Sequence, residues 1–191
     1  MTFSLTLIRH GPVVNKDGIV YGDEAELDLT GMESRLDELA QALPDPGRAL
    51  WLSSGIPRAH LSALAVLRRK GLEDFDLPVL RGLKDQDFGN LEGERHEDVP
   101  EHVSLLSGRI YAPNPPGGES VSEMISRMRH TLKDISALAA SKNHDRVIAF
   151  CHGGIIRAMK VIADNLDESR FIDYETPYLS DHTFEVCLSA K

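Results

Sequence analysis

Apolar runs alternate with amphipathic stretches along this chain. Thr2 to Ile8 is rich in β-branched and aliphatic residues and predicts a buried strand. Ala49 to Ser53 and Asp145 to Cys151 repeat the pattern. Thr30-Gly31-Met32-Glu33 reads as a capping box opening a helix through about Leu43, where Pro44 stops it. Met32, Leu36, Leu39, Ala40 and Leu43 form its apolar stripe. A second helix is expected from about Pro57 to Lys70, ending at Gly71, and Ile155 to Ile162 has helical character. Ser120 to Glu123 caps a long helix through about Ser141, with Met124, Ile125, Met128, Leu132, Ile135 and Leu138 facing a core. Glu94 to Leu106 is read as helical, and Asp76 to Leu80 as a short edge strand weakened by Pro78. Gly108 to Gly118, with three prolines, is read as a surface loop, and His182 to Leu188 as a final strand. The alternation predicts an α/β class.

The chemistry lies where the strands stop. Arg9-His10-Gly11 follows the first strand, and Gly11-Pro12 forces a turn. Open α/β sheets bind ligands beyond the carboxyl ends of their strands. A guanidinium there offers a rigid fork of donors to phosphate, and an imidazole can serve as nucleophile or base. His152-Gly153-Gly154 stands in a matching place, between a strand and a helix whose positive end favours an anion. Arg58 falls in the first turn of its helix, where a cation is unfavourable unless it meets an anion. Three strand ends supplying cations and imidazoles describe a phosphate pocket.

These motifs resemble the histidine phosphatase superfamily, and more narrowly its phosphoglycerate-mutase-like branch. The resemblance rests on Arg9-His10-Gly11, Ser54 to Ala59, Leu83 to Gly93, Pro116-Gly117-Gly118-Glu119-Ser120 and His152-Gly153-Gly154, in that order. It implies a three-layer α/β/α sandwich with a mainly parallel central sheet, a covalent phosphohistidine, and no cofactor or metal. Residue by residue, it implies His10 as nucleophile, Arg9 and Arg58 on the phosphate oxygens, and His152 with Gly153 as further phosphate contacts. Where the family carries a glutamate as acid, this chain has Asp85, about 1.5 Å shorter in reach. Asp87 and Glu92 are the alternatives, with Asp85 on a shifted backbone preferred. The segment after Gly11 also departs from the family, and Asn15, Tyr21 and Gly22 are carried over as substrate contacts. Val13 and Val14 are expected to pack rather than bind.

The resemblance favours a phosphomonoesterase acting on a small phosphorylated metabolite, with α-ribazole 5′-phosphate or a sugar phosphate as candidates. Mutase-type members carry more basic residues in a lid, whereas Gly93 to Pro116 holds only Arg95 and Arg109. The alternatives are phosphoglycerate-mutase-type transfer, or a phosphate-binding regulatory protein with weak turnover. A length of 191 residues suits a single domain over 1–191. A net charge of −9 argues against nucleic acid or an anionic membrane as partner. No apolar stretch is long enough to span a bilayer and no signal-peptide pattern is seen, so a cytoplasmic monomer or homodimer is expected. Cys151 and Cys187 sit in apolar runs and are expected as buried free thiols. His60, His96, His102, His130, His144 and His182 lack a motif and are read as solvated or structural.

Overall fold

The computed structural model describes residues 2–99, 104–106 and 109–187. Its elements in chain order are β1 (Thr2–Arg9), α1 (Glu33–Ala42), β2 (Leu50–Ser53), α2 (Pro57–Arg69), β3 (Ser104–Leu106), β4 (Arg109–Tyr111), α3 (Val121–Ser141), β5 (Arg146–Cys151), α4 (Gly153–Ala163) and β6 (Asp181–Cys187). Four strands form one sheet in the order β2-β5-β1-β6. The β2–β5 and β5–β1 pairings are parallel, while β6 runs antiparallel to β1. The mainly parallel sheet is therefore closed at one edge by a reversed strand.

Side chains alternate across a strand, so each central strand feeds two cores. On one face Phe3, Leu5 and Leu7 pack against Met124 and Met128 of α3 and Ile155 and Met159 of α4. On the other, Ile8, Trp51, Ile148 and Phe150 meet Leu36 and Leu39 of α1 and Val66 and Leu67 of α2. Burying each of these large apolar side chains is worth about 1.5–3 kcal/mol, which fixes the strand register. That register matters for function. Arg9 pairs with Cys151, and Ser53 with Phe150. The residues immediately beyond, His10, His152 and Ser54, must then emerge side by side at one end of the sheet.

Three expected elements take another form. The capping box at Thr30 does not exist: Asp28 Oδ1 accepts the Thr30 N–H, Gly31 sits at φ +77°, and the helix starts after Met32. That local turn outcompetes the helical cap. Residues 94–99 are not helical, and 104–106 form β3, paired with β4. The 94–96 backbone instead bonds to residues 18–20, through Val20 N–H to Glu94 O and His96 N–H to Gly18 O. Residues 100–103 of that predicted helix lie outside the described residues. The edge strand at Asp76–Leu80 shrinks to one bridge between Ser53 and Val79, because Pro78 has no N–H to extend a ladder. The proline loop is shortened at its start by β4, with residue 108 outside the described residues. The final strand ends at Cys187, and Leu188 is likewise outside. Cys151 is a buried thiol as expected, whereas Cys187 is exposed, since β6 is an edge strand with one face open. The long helix α3 does carry its capping box, Ser120 Oγ accepting from Glu123 N and Glu123 returning to Ser120 N.

Candidate active site

The strand ends converge as the register requires. The His10 and His152 ring centroids lie 5.2 Å apart. Both imidazoles are buried, as is Arg58 at 1% exposure. Backbone bonds from His10 N to Cys151 O (3.0 Å) and from Ser54 N to Phe150 O (3.1 Å) continue the sheet beyond its strands. Arg58 reaches in from the first turn of α2, its Nε 3.3 Å from His10 Nε2 and its Nη2 3.2 Å from Asp85 Oδ2. Its Nη1 donates to the Gly22 carbonyl at 2.9 Å. Arg9 donates from Nη1 to Thr176 O at 2.6 Å, and its guanidinium lies 3.9 Å over the Tyr178 ring.

The two histidines are held in opposite tautomers. His10 Nδ1 is 2.6 Å from the Gly11 carbonyl, which can only accept, so Nδ1 carries the proton and Nε2 keeps its lone pair. His152 Nε2 is 2.9 Å from Ser54 Oγ. That hydroxyl accepts the Ile56 N–H at 3.3 Å and can donate its own proton to His152 Nε2, an arrangement favoured by the Asp85 carboxyl that faces Nδ1. The ring proton of His152 then belongs on Nδ1, which faces Asp85 Oδ2 at 3.5 Å, too far for a good hydrogen bond. His152 Nδ1, Arg9 Nε and Thr176 Oγ1 are the buried side-chain polar atoms without a protein partner among the described residues. Buried donors of this kind call for a ligand. All three residues stand beside Gly153, at whose position a Cβ would come within 2.8 Å of Thr176 Oγ1. Ser54→Ala is expected to release the His152 tautomer and lower kcat/KM about 10- to 100-fold, with Ser54→Thr recovering most of it, as measured by initial rates.

Burial holds the pKa of His10 well below its ordinary value, helped by His152, Arg58 and Arg9. Burial does the same for His152, followed by Arg58 and Arg9. Both rings are therefore neutral in the folded protein near pH 7, so that each keeps one ring nitrogen unprotonated. The unfolded chain takes up these protons below about pH 6.5, where the folded one does not. Stability is thus complete above that pH and falls as pH drops through the window below it. The expected slope is up to about 1.4 kcal/mol per pH unit for each histidine. Urea midpoints should decline from pH 7 to pH 5; an unchanged or rising midpoint would mean that the rings are charged when folded.

Asp85 stands in the pocket and its rivals do not. Asp87 is exposed and accepts the Gly89 N–H at 2.8 Å, closing its own turn. Glu92 is exposed beside Gly22, with burial of its carboxyl raising its pKa. The backbone that carries Asp85 is clamped by Arg127 of α3. Arg127 donates to the carbonyls of Gly82 (2.7 Å), Lys84 (3.1 Å) and Asp85 (3.3 Å), and its fork is paired with both oxygens of Glu119. The neighbouring glycine loop locks on through Glu119 N to Asp87 O (2.8 Å). Gly89 there has φ +54°, and a Cβ on it would fall 2.4 Å from Gly118 N. These bonds fix the backbone from which Asp85 enters the pocket.

The Histidine phosphatase superfamily (branch 1) profile matches residues 5–186. The chain belongs to the histidine phosphatase superfamily. It is 28% identical over 120 residues to a 2,3-bisphosphoglycerate-dependent phosphoglycerate mutase of Methylobacterium sp. (strain 4-46), covering 60% of this chain and 56% of the mutase. It is 30% identical over 164 residues to a metal-independent phosphoserine phosphatase of Arabidopsis thaliana, covering 81% and 66%. The match therefore spans little more than half of the mutase's length. A mycobacterial glucosyl-3-phosphoglycerate phosphatase superposes with a TM-score of 0.74 at 22% identity, covering 97% of this chain and 91% of that one, and so shares its fold.

The other residues predicted for this site are placed as follows. Asn15 and Tyr21 line the pocket, but Asn15 spends its amide on the Ile19 backbone, donating to O and accepting from N at 3.0 Å each. Gly22 holds Arg58 by its carbonyl. Val13 lines the pocket and Val14 is exposed, so neither packs in the core as expected, because this loop crosses the pocket mouth. His96, read as solvated or structural, is half-buried in the pocket wall, brought there by the 18–20 pairing. Thr176, Tyr178, Arg127 and Ser54's link to His152 carry no local sequence signal. One atom each of His10, Asp85 and His152 lie within 4.8 Å of one another, a spacing that a metal could accept. Two buried guanidiniums beside them favour an anion over a dication. No described helix is long and apolar enough to cross a membrane.

Proposed function

We propose that this protein is a phosphate monoesterase working through a phosphohistidine on His10, with a small phosphorylated molecule as substrate. The supporting observation is that His10, its proton held on Nδ1 by the Gly11 carbonyl, has an unprotonated Nε2 that accepts a 3.3 Å bond from Arg58 Nε, beside Arg9 and with the His152 ring 5.2 Å away. The guanidiniums and the His152 Nδ1–H would take the charge on the equatorial oxygens. Nε2 attacks phosphorus in line, the ester P–O bond breaks, and the leaving oxygen takes a proton from the Asp85 carboxyl. Water then attacks phosphorus as the P–N bond breaks, giving its proton back to Asp85 and releasing inorganic phosphate. No step calls on a metal.

Hydrolysis is favoured over mutase transfer because the segment between the acid loop and the glycine loop is poor in cations, and its Arg95 is paired with Glu97 at 3.0 Å. The test is phosphate release from α-ribazole 5′-phosphate, sugar phosphates, phosphoserine and glucosyl-3-phosphoglycerate, together with trapping of acid-labile phosphate on the protein. Release with trapped phosphohistidine supports the reading. Isomerised ester without net release would support a mutase, and tight phosphate binding without turnover a regulatory binding protein.

A further inference from the structure

The segment entering β6 is pinned beside the end of β1. Leu179 N–H donates to the carbonyls of Arg9 and His10 at 3.2 and 3.3 Å, and Ser180 N–H to Pro177 O at 3.1 Å. Residues 176–178 then hold Arg9 on two sides. The Thr176 carbonyl accepts from its Nη1 at 2.6 Å, and the Tyr178 ring lies 3.9 Å from its guanidinium. Those contacts use only the backbone of Thr176. Its side chain is fully buried and lines the pocket, and Oγ1 has no protein partner among the described residues. Valine would fill nearly the same space without burying an unmatched polar atom, so packing alone asks for no hydroxyl here. The hydroxyl faces the first residue of α4. A Cβ on Gly153 would meet Thr176 Oγ1 at 2.8 Å and Arg9 Nε at 3.6 Å. Oγ1, the equally unpartnered Arg9 Nε and the first amides of α4, which have no acceptor within the helix, border one small space. The amide of Asn15, expected on the phosphate, is instead closed on the Ile19 backbone at both ends.

We infer that Thr176 is a phosphate-binding residue, its hydroxyl donating to a non-bridging oxygen of the phosphoryl group alongside Arg9 Nε and the α4 amides. Its effect on turnover rests on the monoesterase reading, whereas its effect on phosphate binding does not. A hydroxyl bonded to an anionic oxygen gains a charge-assisted partner that the protein itself does not give it. The contact is to the part common to every ester, so it strengthens binding without choosing among leaving groups. The hydroxyl burdens the fold and serves the ligand, and these two effects have opposite signs in one substitution.

The test uses Thr176→Val and Thr176→Ser beside the wild type. It measures inorganic phosphate binding by calorimetry, kcat/KM on glycerol 1-phosphate and p-nitrophenyl phosphate, and the urea midpoint without phosphate. Thr176→Val is expected to weaken phosphate binding about tenfold or more and to lower kcat/KM about 10- to 100-fold, by the same factor on both esters. Its urea midpoint should equal or exceed that of the wild type, and Thr176→Ser should recover most of the affinity and rate. Phosphate affinity within about twofold of wild type in Thr176→Val overturns the inference. So do equal losses in both variants, which would trace the effect to packing around Arg9, and a loss confined to glycerol 1-phosphate, which would put the hydroxyl on the leaving group. Phosphate binding by the wild type with no release from either ester would remove the monoesterase reading, while the tenfold difference in affinity would still establish this contact.

Discussion

His10→Ala is expected to lower kcat on any phosphate ester by on the order of 10⁴-fold or more and to abolish acid-labile phosphate on the protein. The magnitude follows from what the side chain supplies. In the proposed mechanism its neutral Nε2 is the attacking atom, and the other imidazole among the described residues at this position, His152, turns Nδ1 toward Asp85 and has its Nε2 engaged with Ser54. The cavity left by the imidazole is small and lies beside two guanidiniums, so phosphate affinity should persist while chemistry stops. Initial rates, phosphate binding by calorimetry and a radiolabel trap separate these effects. A variant that keeps wild-type turnover, or that still traps phosphate, would move the covalent step to another residue.

Asp85→Asn has the second largest expected effect, and it should depend on the leaving group. General acid assistance contributes about 10²–10⁴-fold for a poor leaving group such as a primary alcohol. p-Nitrophenolate leaves without a proton and should lose far less, about tenfold or under, from the change in charge beside Arg58. The measurement is the ratio of kcat/KM for an alkyl phosphate to that for p-nitrophenyl phosphate in the two proteins. Equal losses on both substrates would make Asp85 an electrostatic partner of Arg58 rather than the acid. Asp87→Asn and Glu92→Gln should leave the ratio unchanged, since those carboxyls lie outside the pocket.

Several parts of this site were readable before any coordinates. Arg9-His10-Gly11 and His152-Gly153-Gly154 each end an apolar run, and the sheet places strand ends together by its hydrogen bonding. Arg58 was legible because a cation in the first turn of a helix opposes the helix dipole. Asp85 needed the family's spacing, and only the fold shows that it lines the pocket while Asp87 and Glu92 do not. Arg127 and Thr176, and the partners of Ser54 and Glu119, were hidden for a common reason. Each acts through a backbone carbonyl or a ring nitrogen on a distant segment, and such contacts leave no periodicity in the chain.

The misread elements show the same boundary. Thr30 to Glu33 has the composition of a cap, yet Asp28 captures the Thr30 N–H first. Residues 94–96 have helix-forming composition, yet their backbone groups bond to residues 18–20 and thereby deliver His96 to the pocket. Apolar spacing, capping residues and glycine turns are local and short-ranged, and they sufficed for the three principal parallel strands, the long helices and the residues at the strand ends. Tautomers, the placement of Asp85 and the uncommitted hydroxyl of Thr176 depend on which remote groups satisfy one another. Those were decided only when the chain closed on itself.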